Sequence, residues 1–339
     1  MIPEQLKKTG QNFELLQARL SLLAEPEVSY IAPILAKFGI SESVWEDAIA
    51  SYFAALSAES SVSHIPHRQI TIIGGRGRMG RLFTQQLSAA DHNVRILESE
   101  DWDLADQLLD GADLVLVSVP IEQTVNVIKR AAKFLQPTTA LADIASLKTQ
   151  PVQAMLESHC GPVMGLHPMF GPHVKSFLAQ KVVVTPGRED DSFQWFLDWI
   201  KSQGGELILS TPEEHDRLMV TIQATRHFCR LSLGVFLAQE NIDIDRTLSM
   251  SSPSYRLEID LIERLFAQSP HLCADIMLAS EERCQAIERL ANTYSRLAQL
   301  VARKDRDALI QEFAATQKFL EERTLSDSFE SPSFATLSS

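Results

Sequence analysis

The stretch ITIIGGRGRMG, residues 70–80, restricts the possible folds more than any other part of this chain. A run of β-branched residues stops at glycines, and helical sequence, RLFTQQLSAA, comes directly after it. Gly75, Gly77 and Gly80 form a G-x-G-x-x-G pattern, with Arg76, Arg78 and Met79 between them. Each glycine has a mechanical purpose: a tight turn, close backbone approach to a pyrophosphate, and tight packing of helix on strand. Free N–H groups at the helix start then face the phosphates. Alone such a pattern is weak. Set between a strand and a helix, it predicts a dinucleotide site.

The sequence beyond the loop supports that reading. From Gln69 the chain alternates helical stretches with the runs ITIIGG, NVRILES, DLVLVSVP, TALADI, PVMGL and KVVVTPG. Continuous apolar strands separated by helices predict a parallel sheet covered on both faces. The expected architecture is α/β, a Rossmann-type doubly wound domain over residues 66–210. The second run ends in Glu98, 18 residues beyond Gly80. A carboxylate there accepts from ribose hydroxyls and repels a 2′-phosphate, which favours NAD over NADP. Arg76 and Arg78 work against that preference. Strand signals stop near Pro212, and residues 211–325 read as an all-α domain. Residues 1–65 read as a short helical segment, and the Ser-rich 326–339 as a disordered tail.

Composition narrows the partners. A formal net charge of −13 over 339 residues argues against a nucleic-acid or anionic-membrane surface. A few arginines in a cleft would still bind a small anion. Cys160, Cys229, Cys273 and Cys284 show no CxxC spacing, so neither a metal site nor a disulfide framework is expected. No apolar run approaches the roughly 20 residues of a membrane span, and the N-terminus lacks a signal-peptide core. A cytoplasmic setting is expected.

In a doubly wound sheet, ligands bind beyond the carboxyl ends of the strands. Ser118, Val119 and Pro120 end the third run, DIASLK (143–148) ends the fourth with Ser146 and Lys148, and GLHPMFGP (165–172) ends the fifth with His167. A histidine in a tight turn is commonly a core residue, but three polar groups after three strand ends converge on one crevice. In HDRLMVTIQATRHF (215–228), Asp216, Val220, Gln223 and His227 fall on one face of a continuous helix. That stripe is either a solvated face or a cleft wall. Arg256 and Arg264 are either surface ion-pair partners or a bidentate grip on a carboxylate.

These motifs, in this order, together with SSPSYRLEIDLIERLFAQ (251–268), resemble the prephenate dehydrogenase family. The likeness is greatest to the dehydrogenase half of the bifunctional chorismate mutase/prephenate dehydrogenases. It covers about residues 69–325. The resemblance implies oxidative decarboxylation of a dicarboxylate, prephenate, to 4-hydroxyphenylpyruvate with NAD, by a homodimer paired through its helical domain. It makes His167 the base that accepts the substrate hydroxyl proton. A neutral imidazole is needed, and an unperturbed one has a pKa of ~6.5. Ser146 would hold the ring by a hydrogen bond, with Lys148 lining the same crevice. Arg264 would take a substrate carboxylate. Gln223 and His227 would stand at the substrate side chain, with His215, Asp216 and Cys273 in the same region.

The chain departs from the family in three places. Cys273 replaces a usual aromatic residue, which opens both substrate preference and tyrosine feedback. Leu218 replaces an amide in the HDxNM motif. The first 65 residues resemble only parts of a mutase domain and hold few of the cations a dianionic substrate needs, so a remnant without mutase activity is expected. Two other readings stand beside this one. The same chemistry could act on arogenate or 4-amino-4-deoxyprephenate, or the scaffold could be a non-catalytic sensor of nucleotide and aromatic metabolite.

Overall fold

The computed structural model describes residues 66–171, 174 and 176–327, with side chains as far as Glu322. The segment expected as a helical remnant, Pro172 of the GLHPMFGP motif and residues 328–339 of the expected tail lie outside the described residues.

Seven strands form one sheet: β1 (Gln69–Ile73), β2 (Asn93–Leu97), β3 (Leu114–Val117), β4 (Ala140–Asp143), β5 (Val163–Pro168), β6 (Lys181–Arg188) and β7 (Glu206–Leu209). Their spatial order is β2-β1-β3-β4-β5-β6-β7. β1 to β5 pair in parallel, as the apolar runs predict. Helices α1 (Arg78–Ala89), α2 (Ala105–Leu109), α3 (Ile121–Ala131) and α4 (Thr149–Ser158) connect them. Alternate strand residues enter two separate cores. Ile70, Ile72, Leu114, Leu116, Ala140 and Ala142 pack on one face with Phe83 and Phe177. Ile73, Val115, Val117 and Leu141 pack on the other with Ile128 and Met155. Each fully buried Leu, Ile or Phe contributes about 1.5–3 kcal/mol, so covering both faces makes these short strands stable.

The far edge departs from an all-parallel sheet. β6 runs antiparallel to β5. Residues 169–180 join the two with no helix among those described, and a parallel crossover usually runs through one. β7, which follows α5 (Gln194–Ser202) and pairs in parallel with β6, is an edge strand absent from the expected runs. It has only the four residues ELIL, with Glu206 and Leu209 exposed.

The helical region opens with α6 (Pro212–Met219), where Pro212 fills the first turn and the Thr211 side chain accepts the Glu214 N–H. A π-helical turn, Val220–Thr225, joins it to α7 (Arg226–Gln239). Next come α8 (Ile244–Ser249), α9 (Pro253–Phe266) and α10 (Pro270–Leu278). The chain divides into two compact units, one reaching to Ser280 and one from Glu281, inside the region expected as one helical domain. The second unit holds α11 (Glu281–Ala302) and α12 (Arg306–Asp327), tied by a two-pronged ion pair between Arg296 and Glu312. Among the described residues, no helix is long and apolar enough to cross a membrane.

Candidate active site

The turn after β1 is packed without slack. Gly74, one residue before the expected pattern, has φ +80°. A Cβ there would lie 2.2 Å from the Ser118 carbonyl oxygen at the end of β3, and a Cβ on Gly80 would lie 2.2 Å from the Gly74 carbonyl oxygen. The start of α1 therefore sits flush against the turn, and no side chain caps it. Uncapped amides behind a turn with glycine at 74, 75 and 77 fit a pyrophosphate. Met79 packs on the core beneath the loop, while Arg76 and Arg78 are exposed. Glu98 accepts the Arg76 backbone N–H at 2.6 Å, which holds its carboxylate at the lip of the turn. The Arg76 guanidinium lies 3.4 Å from Glu100, a solvated pair contributing less than about 1 kcal/mol. Ser118 and Val119 are half-buried, and the exposed Pro120 starts α3.

His167 stands at the far side of the strand ends. Pairing of β4 with β5 stops at Asp143 and Gly165. The pairing of β5 with β6 continues through Leu166, His167 and Pro168. The antiparallel strand thus carries His167 beyond the edge of the parallel sheet, where it is only 3% exposed.

A line of hydrogen bonds runs through its ring. His167 Nδ1 lies 2.7 Å from His215 Nε2, and His215 Nδ1 lies 2.8 Å from Asp216 Oδ1. Asp216 also accepts the backbone N–H groups of Lys148 and Thr149, at 2.8 and 2.9 Å. Burial works to raise its pKa, but the His215 bond and the Thr149 and Lys148 bonds outweigh it and hold the carboxyl at about 2. A carboxylate only accepts, so His215 carries its proton on Nδ1 and accepts at Nε2. His167 then donates from Nδ1 and keeps a lone pair on Nε2. The Gln223 amide nitrogen, 3.2 Å from that Nε2, is placed to donate to it. These proton positions follow from the acceptor-only end of the chain.

Gln223 sits inside the π turn, and His227 Nδ1–H donates to the Gln223 carbonyl oxygen at 2.7 Å. This corrects the continuous α-helical face expected from the spacing. The π turn inserts a residue into the helix and so changes the direction of Gln223. Its Oε1 is buried with no hydrogen-bond partner among the described residues.

Several expected residues are engaged differently. Lys148 does not line the crevice: its side chain is fully buried, with Nζ 2.5 Å from Asp143 Oδ2 and 2.8 Å from the Leu166 carbonyl oxygen. His215 and Asp216, expected beside the substrate, are taken up by the line behind His167. Ser146 is half-buried in the loop between β4 and α4. Cys273 is buried on α10, which packs on the π turn and α3, and burial pushes its thiol pKa up. Arg264 lines a cavity on α9 with Asp260, Glu263 and Ala267. Arg256 donates to the Leu248 carbonyl oxygen at 3.1 Å, a bond within the helical scaffold. Leu218 is half-exposed. Two residues escaped the sequence reading, Gly74 and Asp143. The signal for Asp143 was a charge ending an otherwise apolar run, which in a buried strand must find a partner.

Comparison with known proteins is consistent with this geometry. Residues 84–209 match a family model described as prephenate dehydrogenase, nucleotide-binding domain, and residues 211–315 one described as prephenate dehydrogenase, dimerization domain. The T-protein of Enterobacter agglomerans is 42% identical over 252 residues, 74% of this chain and 67% of that protein. The T-protein of Haemophilus influenzae is 38% identical over 283 residues, 82% of this chain and 75% of that protein. Among solved structures, a prephenate dehydrogenase from Aquifex aeolicus, in complex with hydroxyphenyl propionate and NAD+, superposes with a TM-score of 0.57 at 18% identity. That alignment covers 76% of this chain and 98% of the other, and speaks for the fold.

Proposed function

The chain belongs to the prephenate dehydrogenase family, and on that premise we propose that it converts prephenate and NAD+ into 4-hydroxyphenylpyruvate, CO2 and NADH in tyrosine biosynthesis. The observation that carries this reading is the Asp216–His215–His167 line, which leaves a lone pair on His167 Nε2 beyond the strand ends.

NAD+ supplies the hydride acceptor for the carbinol carbon of the substrate. His167 Nε2 takes the hydroxyl proton as that hydride departs. The imidazolium so formed is hydrogen-bonded to His215, and the Asp216 carboxylate behind it offsets the new charge. The bond from the ring to its carboxyl carbon breaks, CO2 leaves, and the electron pair completes the aromatic ring. The proton on His167 returns to the phenolate oxygen, so the reaction releases no net proton. Ser146 hydrogen-bonds the same hydroxyl. Gln223, now on Nε2, marks where that hydroxyl docks. Arg264 pairs a substrate carboxylate, and His227 borders the side chain. Gly74, Gly75, Gly77 and Gly80 admit the pyrophosphate, and Glu98 takes the ribose hydroxyls.

Assembly belongs to the same proposal. The helical region leaves Phe236, Phe266 and Leu278 exposed, and a second copy of the chain would cover them. Four cysteines with no CxxC spacing suit a reducing cytoplasm.

The test is NADH formation from prephenate and NAD+ by wild type and His167→Asn. Loss of the general base is expected to cut kcat by about 10²–10⁴-fold with NAD+ binding kept. An active His167→Asn enzyme would remove the assigned role. A wild type that turns over arogenate or 4-amino-4-deoxyprephenate but not prephenate would keep the chemistry and change the substrate. Silence with all three would favour a sensor.

A further inference from the structure

The Lys148 ammonium is as deeply buried as any cation in the described chain, yet it touches no surface a substrate can reach. Its Nζ bridges two elements. One contact goes to Asp143 Oδ2, at the end of β4; the other goes to the Leu166 carbonyl oxygen, in the residue before His167. Asp143 Oδ2 also accepts the Ala145 N–H at 2.9 Å, which folds back the loop carrying Ser146. The stem of Lys148 passes over Gly165. A Cβ on Gly165 would lie 2.3 Å from Thr185 Oγ1, 2.7 Å from Val152 Cγ2 and 3.1 Å from Lys148 Cδ.

Such a pair is a poor stabiliser. Removing two charges from water costs several kcal/mol per ion before their attraction is counted. Asp143 Oδ1 is buried with no hydrogen-bond partner among the described residues, so the network is only half satisfied. An apolar pair of similar shape would fill the space at lower cost. What an apolar pair lacks is a donor to Leu166 and an acceptor for Ala145.

We propose that Asp143 and Lys148 form a positioning pair that fixes the Ser146 loop and the His167 strand relative to each other, so that hydroxyl donor and base meet one substrate oxygen. This rests on the roles assigned above to Ser146 and His167. Neither member of the pair touches substrate. Lys148 acts through the main chain of β5, and Asp143 acts through Lys148 and Ala145. β5 depends on such a tie because its last residues have left the parallel ladder and keep only β6 as a strand partner.

The pair is tested with the double variant Asp143→Asn/Lys148→Met, which removes both charges together and leaves no lone buried ion. Its thermal midpoint is expected near that of wild type, with NAD+ binding and the KM for prephenate retained and kcat lower by about 10²-fold, the cost of a misplaced catalytic group. Asp143→Asn alone keeps the acceptor shape but removes the charge that draws Lys148 inward, and is expected to lower kcat in the same way. Undiminished kcat in both variants would overturn the proposal. So would a raised KM with kcat kept, which would put Lys148 on the substrate. If the double variant fails to fold, Asp143→Asn decides alone. A second readout needs no substrate: the His167 ring proton resonance, assigned through His167→Asn, is expected to shift in both variants. A wild type inactive on prephenate but with that shift present would fail the functional reading and leave the pair standing.

Discussion

At the scale of single residues, Asp216 concentrates the most consequence in one side chain. It orients His215, and through it the tautomer of His167, while binding two amides at the start of α4. A carboxyl held at about 2 instead of the usual 3.8 adds about 2 kcal/mol to stability. Because the folded value lies below the unfolded one, this stabilisation is present above pH ~4 and is lost as pH falls towards 2. Asp216→Asn is therefore expected to be about 2 kcal/mol less stable at neutral pH in urea melts, with the gap closing near pH 2. A gap that stays constant with pH would show that the carboxylate charge is not what the site uses. Catalytically, the amide introduced by Asp216→Asn can donate to His215 and favour the wrong tautomer, so kcat should fall more than KM changes.

Among the elements, the nucleotide loop shows how little room the turn allows. Gly80→Ala would put a methyl against the Gly74 carbonyl oxygen, a main-chain atom that cannot swing aside, so the loop must shift. A rise in the dissociation constant for NAD+ of about tenfold or more is expected by fluorescence titration, with the sheet unchanged by circular dichroism. Unaltered NAD+ affinity would argue that the turn holds no pyrophosphate. The strands β1 to β6 were legible because buried parallel strands read as unbroken apolar runs. Periodicity carries no direction, however, so the apolar run of β6 does not tell an antiparallel strand from a parallel one. The four-residue β7 has too little pattern to separate it from a loop. Spacing along 215–228 located the right helix but assumed a regular one, and the π turn re-aims Gln223. His215 and Asp216 are sequence neighbours, which do not share a helix face. Their cooperation depends on where the two side chains reach, which no spacing rule records. Lys148 follows a strand end, where ligands bind in such a sheet, and so reads as a crevice residue; Asp143 draws it inward.

For the whole molecule, the expectations concern assembly and the unassigned beginning of the chain. Sedimentation velocity should find a homodimer, and Phe236→Glu on α7 should weaken it if that exposed ring lies in the contact. A wild type that stays monomeric at every concentration tested would overturn the assembly proposed here. The first 65 residues carry only Lys7, Lys8, Arg19 and Lys37 as lysine or arginine cations up to Ser60. Conversion of chorismate to prephenate by the purified chain is accordingly expected to be absent, and any enzymatic rate would refute a mutase remnant.

The Asp216 contact also bears on how such a protein can change over generations. On the sheet side it is made by the main-chain N–H groups of residues 148 and 149, with the Thr149 side chain beside them. Main chain is the same under every side chain except proline, which has no N–H. The two main-chain bonds at the joint between the nucleotide-binding sheet and the first helix beyond it therefore ask only that the acid be kept and that neither amide be lost to proline. A sheet transplanted from a distant relative would still present two amides at that helix start. Those two amides would still hold the acid behind the histidine line, whatever side chains the new neighbour carried there.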